Sequence, residues 1–181
     1  MATALIWVEY NRFTIGGPDT LPGTTELPYA NGLVAPTTDP VAGAVIVTGV
    51  QDDQVHVDAR ALPARPSINA DVWQDVAEVG ISWPGGPMRV IGADVIPPSA
   101  LTFTPHQPPG PYRLLVCGRE RDAGETRAPA DPIEQYLVRV WPGRAPDRLI
   151  KTTSRTSTYW QLATPRQGET FTEAATGFRC R

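Results

Sequence analysis

The sequence predicts an all-β protein, a single-domain antiparallel β-sandwich of about eight to ten short strands with long loops rich in proline and glycine. The 181 residues include 20 prolines and 16 glycines. Because an interior proline removes a helical hydrogen bond and clashes with the preceding turn, this density excludes a helical bundle. Short apolar runs recur at intervals of roughly ten residues, as they do in sandwiches. The 41% of hydrophobic residues can supply one core.

Runs of β-branched and aromatic residues predict the individual strands. The segment 55–62 is the clearest, because Val55, Val57 and Ala59 alternate with polar side chains, as in a half-buried strand. The predicted strands are 4–10 with 13–15 as its continuation, 44–50 and 55–62 as a hairpin, 75–83 and 88–91 as a second hairpin, the short piece 101–103, and 112–118, 134–141, 148–153 and 157–162.

No linker or internal repeat divides the chain, so the domain is predicted to span residues 1–162 and a polar C-terminal tail residues 163–181. Two long segments without predicted strands, 16–40 and 119–132, are candidate functional loops because compact domains seldom keep such loops without a role.

The net charge of −3 argues against a nucleic-acid binder that neutralises phosphates. Residues 1–90 carry four arginines against ten acids, and residues 91–181 carry twelve basic residues against nine acids. Fifteen arginines against one lysine, beside many Ala, Pro and Gly, indicate a high-GC genome and an actinobacterial source. The chain shows no apolar run of about 18–20 residues and no signal-peptide pattern at its start, so no membrane span and a cytoplasmic location are expected.

Motifs for catalysis, phosphate binding or metal clusters are absent from the sequence, so no catalytic residue, cofactor or metal is predicted. His56 and Asp58 lie two apart on one strand face and could begin a metal or acid–base site, or form an ordinary exposed pair. Cys117 and Cys180 are compatible with a bridge, or with one buried and one exposed thiol.

Charged residues in two turns are candidate contacts for a protein partner. The loop after the 112–118 strand contains alternating charges that could form a binding rim or a solvated turn. Acidic residues in the first half of the chain could face a basic partner, coordinate calcium or lie free in solvent. The candidate partner-binding residues are Arg119, Arg121, Asp122 and Arg127 together with Asp52, Asp53 and Asp58.

Three segments resemble a known group of proteins when they are taken in order. They are the strand from Trp73 to Trp83, the stretch Gly-Pro-Tyr-Arg-Leu-Leu-Val-Cys-Gly-Arg-Glu-Arg-Asp at 110–122, and Glu-Gln-Tyr-Leu-Val-Arg-Val-Trp-Pro at 134–142. This order resembles a group of small actinobacterial proteins of undefined function and, more distantly, the competence protein J family. The resemblance implies a compact β protein that inhibits a partner nuclease.

Two classes of function follow from these observations. The first is a non-catalytic protein-binding module of immunity or inhibitor type that masks a toxin or nuclease. The second is a small-molecule or carbohydrate-binding sandwich, or a minor enzyme, that uses His56 with Asp58 and aromatic side chains near strand ends, such as Trp141, Tyr159 and Trp160. The sequence does not set the oligomeric state.

Overall fold

The structure is a computed structural model that describes residues 3–17, 28–37, 43–94, 96, 98–105, 108–131 and 133–163. Eleven strands and one α-helix occur in these residues, which confirms the predicted all-β class. In chain order they are β1 Thr3–Val8, β2 Arg12–Gly16, β3 Val34–Pro36, β4 Gly43–Val47, β5 Asp53–Ala61, β6 Asp75–Trp83, β7 Met88–Ile91, β8 Thr102–Phe103, β9 Gly110–Arg119, β10 Gln135–Pro142, β11 Arg148–Lys151 and α1 Arg155–Leu162.

The strands form two facing sheets. The six-stranded sheet has the order β1-β5-β10-β9-β6-β11, and the five-stranded sheet has the order β3-β4-β2-β7-β8. One pair departs from the predicted antiparallel pattern, because β10 runs parallel to β5 and Gln135 lies beside His56. The chain can make this parallel pair because β6 to β9 separate the two strands in sequence.

The core lies between the sheets and consists of alternate side chains from each strand. Val55, Val57 and Ala59 of β5 are fully buried, as their period of two predicts. In the same core, the rings of Phe13 and Tyr136 meet edge to face at 5.1 Å between centroids.

The two predicted hairpins are wrong in their pairing, although their strands exist. Residues 44–62 supply β4 to one sheet and β5 to the other. The backbone N–H groups of Gly49 and Val50 between them donate to the Glu134 carboxylate rather than to a hairpin partner. Similarly, β6 already pairs on both edges with β9 and β11, so β7 joins β2 and β8 in the other sheet.

Two further strand predictions change in the structure. Residues 13–15 do not prolong β1, because a turn at Tyr10 and Asn11 sends β2 into the other sheet. Residues 157–162 belong to helix α1 rather than to a strand. Ser154 begins that helix, since its side chain accepts a hydrogen bond from the Ser157 N–H at 2.9 Å.

A second apolar cluster covers the outer face of the six-stranded sheet around β6, β9 and β10. It includes Cys117, and burial raises the pKa of that thiol to about 12. Cys180, His106 and the tail beyond residue 163 lie outside the described residues, as does most of 16–40. The described helices are all too short and too polar to cross a membrane.

Candidate functional site

Four segments converge at one end of the sandwich. They are the turn between β1 and β2, the 48–53 segment between β4 and β5, the 120–127 segment after β9, and helix α1. Together they form an open groove of about 570 Å³. Its lining consists of Asn11, Thr48, Gly49, Asp122, Ala123, Thr126, Arg155, Thr156, Tyr159 and Trp160.

Beneath this groove lies the buried side chain of Arg121, which has no exposed surface. Its Nη2 donates to the backbone carbonyls of Gly32, at 3.3 Å, and Val47, at 2.9 Å. Its Nη1 donates to Ser157 Oγ at 2.6 Å, and Nε donates to the Tyr136 hydroxyl at 3.3 Å. Arg121 therefore ties both sheets and helix α1 to one point.

Two buried carboxylates balance this guanidinium. Asp75 bonds Arg121 Nη1 directly and also accepts hydrogen bonds from the Ser154 hydroxyl and from the Thr153 N–H at 3.0 Å. Burial alone would raise the pKa of Asp75, but the charge of Arg121 and these hydrogen bonds hold it below its usual value.

The second carboxylate, Glu134, lies with Oε1 3.7 Å from Arg121 Nε. It accepts a hydrogen bond from the Tyr136 hydroxyl and bonds from the N–H groups of Gly49, at 2.8 Å, and Val50, at 3.1 Å. Burial raises the pKa of Glu134 above its usual value. This carboxylate fixes the start of the 48–53 segment on the six-stranded sheet.

The groove floor depends on a close backbone approach between Gly49 and Arg121. A Cβ atom at Gly49 would lie 1.9 Å from the Arg121 carbonyl oxygen, so only glycine fits without a shift of backbone. The same carbonyl accepts a hydrogen bond from Thr156 Oγ1 at 2.7 Å, which holds α1 against the 120–127 segment.

Backbone strain concentrates at the same end. Among the described residues, three that are not glycine have positive φ: Tyr10 at 56°, Asn11 at 57° and Glu120 at 59°. A residue with a side chain adopts this conformation at a cost of roughly 1–3 kcal/mol, and such residues cluster at binding sites. The turn also projects Tyr10 into solvent, with 71% of its surface exposed.

The structure brings together three of the candidate partner-binding residues. Arg127 Nη2 lies 2.6 Å from Asp53 Oδ2, so the acidic turn and the arginine-rich loop meet. This ion pair lowers the pKa of Asp53. Asp52 is exposed beside them, with Oδ1 3.4 Å from the Tyr10 backbone nitrogen.

Arg119 borders the groove and Asp122 lines it, and both have structural contacts of their own. The guanidinium of Arg119 stacks 5.1 Å from the centroid of the Trp73 ring and bonds Gln135 Oε1 at 2.7 Å. Asp122 Oδ1 accepts from the Thr156 N–H at 3.2 Å in the first turn of α1.

Two candidate residues are not on the surface of the groove. Arg121 is inside the protein, which corrects the expectation that its charge belongs to an exposed loop. Asp58 is on the outer face of β5, where both carboxylate oxygens accept bonds from Arg139 and Arg60 at 2.9–3.2 Å. Burial raises the pKa of Asp58, but the two arginines outweigh burial and lower it. Within the described residues, no cluster of three His, Cys, Asp or Glu could hold a metal ion.

Sequence reasoning missed the acids and serines around Arg121. Asp75 begins β6, Glu134 directly precedes β10, and Ser154 directly precedes α1. Polar residues at such positions are usually solvated. A weak signal was present for the two acids, because each precedes an apolar strand, and none for Ser154, which lies among polar residues. These residues meet only in the folded protein. Asp75 and Arg121 are 46 positions apart in the sequence, and Asp75 and Ser154 are 79 positions apart.

This arrangement defines the chain as a two-sheet β protein whose loops at one end are held by buried hydrogen bonds. No protein-family model matches the chain, and no curated protein matches it. Among solved structures, its fold is similar to that of ComJ from Bacillus subtilis, described as an inhibitor of the DNA degrading activity of NucA. The TM-score is 0.52 at 12% identity, over 78% of this chain and 95% of ComJ.

A second solved structure, described as crocagin biosynthetic gene J, gives a TM-score of 0.45 at 14% identity, over 78% of this chain and 96% of that one. The similarity to ComJ agrees with the fold expected from the competence protein J resemblance. An actinobacterial source remains a prediction.

Proposed function

We propose that this protein is a non-catalytic inhibitor that binds and masks a partner protein, a nuclease or toxin, through its loop end. The similarity of its fold to ComJ carries this proposal, because the alignment spans 95% of a protein described as a nuclease inhibitor. The proposed contact region, here called the loop surface, consists of residues 10–11, 48–53 and 120–127 with the exposed face of α1.

The rigidity of the loop surface suits a binding role. Loops already fixed before binding lose less conformational entropy when a partner docks, so more of the contact free energy appears as affinity. The Arg121 cluster supplies this fixation from below. Tyr10 and Tyr159, which are 71% and 54% exposed, offer the rigid aromatic side chains that often dominate binding free energy.

Charge on the loop surface supports a partner surface of mixed charge. Asp52 is exposed, and Asp53 shares its carboxylate with Arg127. Basic groups on the nuclease would be attracted by these acids, and Arg127 could exchange its intramolecular partner for an acidic group on the nuclease. Asp122 lines the groove and Arg119 lies at its margin, while Arg121 supports the surface without touching the partner.

The alternative function, a ligand site or catalytic pair at His56 and Asp58, gains no support from the described geometry. Asp58 directs both oxygens to arginines, which leaves it unsuited as the base that would orient His56. We therefore propose a protein partner rather than a small molecule or nucleic acid, and a cytoplasmic setting for the complex.

The test is capture and inhibition. The tagged chain is expressed in its native host, the retained protein is identified by mass spectrometry, and its cleavage of plasmid DNA is measured with and without added chain. We expect the wild-type chain to suppress cleavage and Arg127→Glu to suppress it at least tenfold less effectively. Arg144→Glu is the matched control, since Arg144 is an exposed arginine at the opposite end.

Retention of no protein would contradict the proposal, as would a captured nuclease that the wild-type chain leaves active. Equal losses in both arginine variants would place the contact away from the loop surface.

A further inference from the structure

The four edges of the two sheets differ in their protection against pairing with another chain. In the five-stranded sheet, β3 is three residues long and ends in Pro36, and β8 has two residues. In the six-stranded sheet, β11 carries Arg148 and Lys151 and shifts register between Leu149 and Lys151. Proline, short length, positive charge and irregularity are the usual devices that block edge pairing. β1 has no proline, no charge and no register shift along its six residues, although the turn at Ala93 and Asp94 covers its end at Trp7.

The backbone phase of β1 shows which of its groups point away from the sheet. The Trp7 N–H donates to Asp94 Oδ2 at 3.0 Å, and the Trp7 carbonyl accepts from the Ala93 N–H at 2.7 Å. The main-chain N–H and C=O of Trp7 therefore point away from β5. Because this hydrogen-bonding pattern repeats every two residues, the main-chain groups of Leu5 and Thr3 also point away from β5. His56, which lies opposite Leu5, donates its N–H to Glu134 on the far side of β5, in agreement with this phase.

The outward main-chain groups of Thr3 and Leu5 have no hydrogen-bond partner among the residues that the structure describes. Exposed apolar side chains occur on this strand and two residues beyond Asp94. Leu5 is 43% exposed, Trp7 is 41% exposed, and Ile96, two residues beyond Asp94, is 83% exposed. An unpaired main chain beside exposed apolar side chains is the arrangement to which extended peptides add as an extra strand.

Charge indicates the chemistry of the occupant. Two carboxylates flank the end of β1, Glu9 in the following turn and Asp94 against Trp7. Neither forms an ion pair within the described part of the chain. A lysine or arginine in an incoming strand would therefore find an uncompensated negative charge at the point where Asp94 ends the free edge.

We propose that β1 is a docking strand, on which an extended basic segment of the partner protein adds to the six-stranded sheet by main-chain pairing with Thr3 and Leu5. The free edge is short, because the Ala93–Asp94 turn closes it at Trp7. The incoming segment pairs over two outward residues, and its apolar side chains pack on Leu5, Trp7 and Ile96. The proposal takes a protein partner from the proposed function but uses a different surface, so each can fail separately.

The test uses a random dodecamer peptide library displayed on phage, selected on the full-length chain and counter-selected on Leu5→Pro. Proline removes the outward Leu5 N–H and is tolerated at an edge position whose N–H is not in the ladder. We expect the selected peptides to be rich in β-branched residues and to contain at least one lysine or arginine. They should bind Leu5→Pro about tenfold or more weakly, since one main-chain hydrogen bond is lost and the peptide carbonyl that accepted it is left without a donor.

Two control variants separate main-chain pairing from side-chain contact. Leu5→Ala keeps the outward N–H, so we expect it to bind clearly more tightly than Leu5→Pro. Leu149→Ala removes a leucine of similar exposure, 45%, from the opposite edge and is expected to leave binding unchanged. If Leu5→Pro does not fold, amide hydrogen exchange of the wild-type chain replaces it, and the Leu5 amide should exchange at least tenfold more slowly with peptide bound.

Failure to enrich any peptide that distinguishes the wild-type chain from Leu5→Pro would overturn the proposal, as would an unchanged Leu5 amide. A concentration-dependent dimer of the wild-type chain, lost in Leu5→Pro and measured by light scattering, would assign the edge to a second copy and also overturn it. None of these outcomes depends on nuclease inhibition, which is tested with Arg127→Glu.

Discussion

Two buried arginines lie near opposite ends of β9, and their partners differ. Arg113 bonds Glu78 and Asp147 together with the carbonyls of residues 78, 145 and 146. Those contacts connect one sheet to the loop that follows β10. Arg121 connects both sheets and helix α1, since its partners include Val47, Asp75 and Ser157.

The two arginine clusters differ in how well they can tolerate loss of the guanidinium. Glu78 has a second cation in Arg65, which is half exposed, and the Asp147 side chain is 58% exposed, so water can replace part of the Arg113 contacts. Asp75 and Glu134 are both almost completely buried. Among the described residues, Arg121 is the only cation paired with them. The end that carries the loop surface therefore depends on a single side chain.

The largest effect is expected from Arg121→Met. This change keeps the volume of the side chain but leaves two buried carboxylates without a cation, and breaking a buried ion pair in this way costs about 3–5 kcal/mol. Urea unfolding followed by tryptophan fluorescence measures the loss. A loss below about 1 kcal/mol would show that water enters the cluster and replaces the guanidinium.

Arg113→Met is expected to cost less, about 1.5–3 kcal/mol, the range for lost hydrogen bonds to charged groups. Arg65 and solvent then compensate Glu78 and Asp147. The same unfolding experiment provides the comparison, and equal costs for the two arginine variants would remove the distinction between the two ends.

Gly49→Ala tests the close approach at the groove floor. The new Cβ would meet the Arg121 carbonyl oxygen at 1.9 Å, and the overpacking is expected to cost about 1–3 kcal/mol and to weaken partner binding. Gly17→Ala is the control, because its Cβ would make an ordinary 3.4 Å contact with the Trp83 ring. Equal thermal shifts for the two variants would contradict the account of the floor.

The pH dependence of the Arg121→Met penalty gives a smaller effect. An acid whose pKa is lowered by folding contributes stability above its unfolded value, 3.8 for Asp75, and loses it as pH falls through the folded pKa. Without the guanidinium, burial raises the pKa of Asp75, so protonation relieves the variant. We expect the stability difference from the wild type to be largest near neutral pH. It begins to shrink above pH 3.8, as the pH falls through the raised pKa of Asp75 in the variant, and shrinks further below pH 3.8, where the wild type loses its own contribution. A penalty that is constant with pH in urea titrations would count against this assignment.

The smallest effect on stability is expected at the Asp53–Arg127 ion pair. Its side chains are 35% and 14% exposed, so a double-mutant cycle with Asp53→Asn and Arg127→Gln should give a coupling free energy of about 0.2–1 kcal/mol. A larger value would make the pair part of the structural frame rather than a contact available to a partner.

The sequence was sufficient to predict the fold class and most strands, because period-two burial and proline punctuation are local signals. Strand pairing was not predictable in this way. The 44–62 and 75–91 segments resemble hairpins locally, yet the second strand of each joins the other sheet. Helix α1 was missed because Thr, Tyr and Trp favour strands, whereas the Ser154 cap and the contacts of Ser157 with Arg121 select the helix.

The candidate site was predicted in part. Charge in the turn at Asp52–Asp53 and in the loop ending at Arg127 marked two segments that the structure brings together. Arg121 looked identical to its neighbours in sequence, because nothing local distinguishes a guanidinium that points into the protein. Its burial depends on acids and serines supplied by distant elements, and single-sequence patterns contain no record of those contacts.

Amide hydrogen exchange of the chain in complex with the partner captured from its host tests whether the loop surface is the contact region. We predict slower exchange in residues 10–11, 48–53 and 120–127, and unchanged exchange at the Arg113 end in residues 143–147. Protection confined to residues 143–147, with the loop surface exchanging as in the free protein, would contradict it.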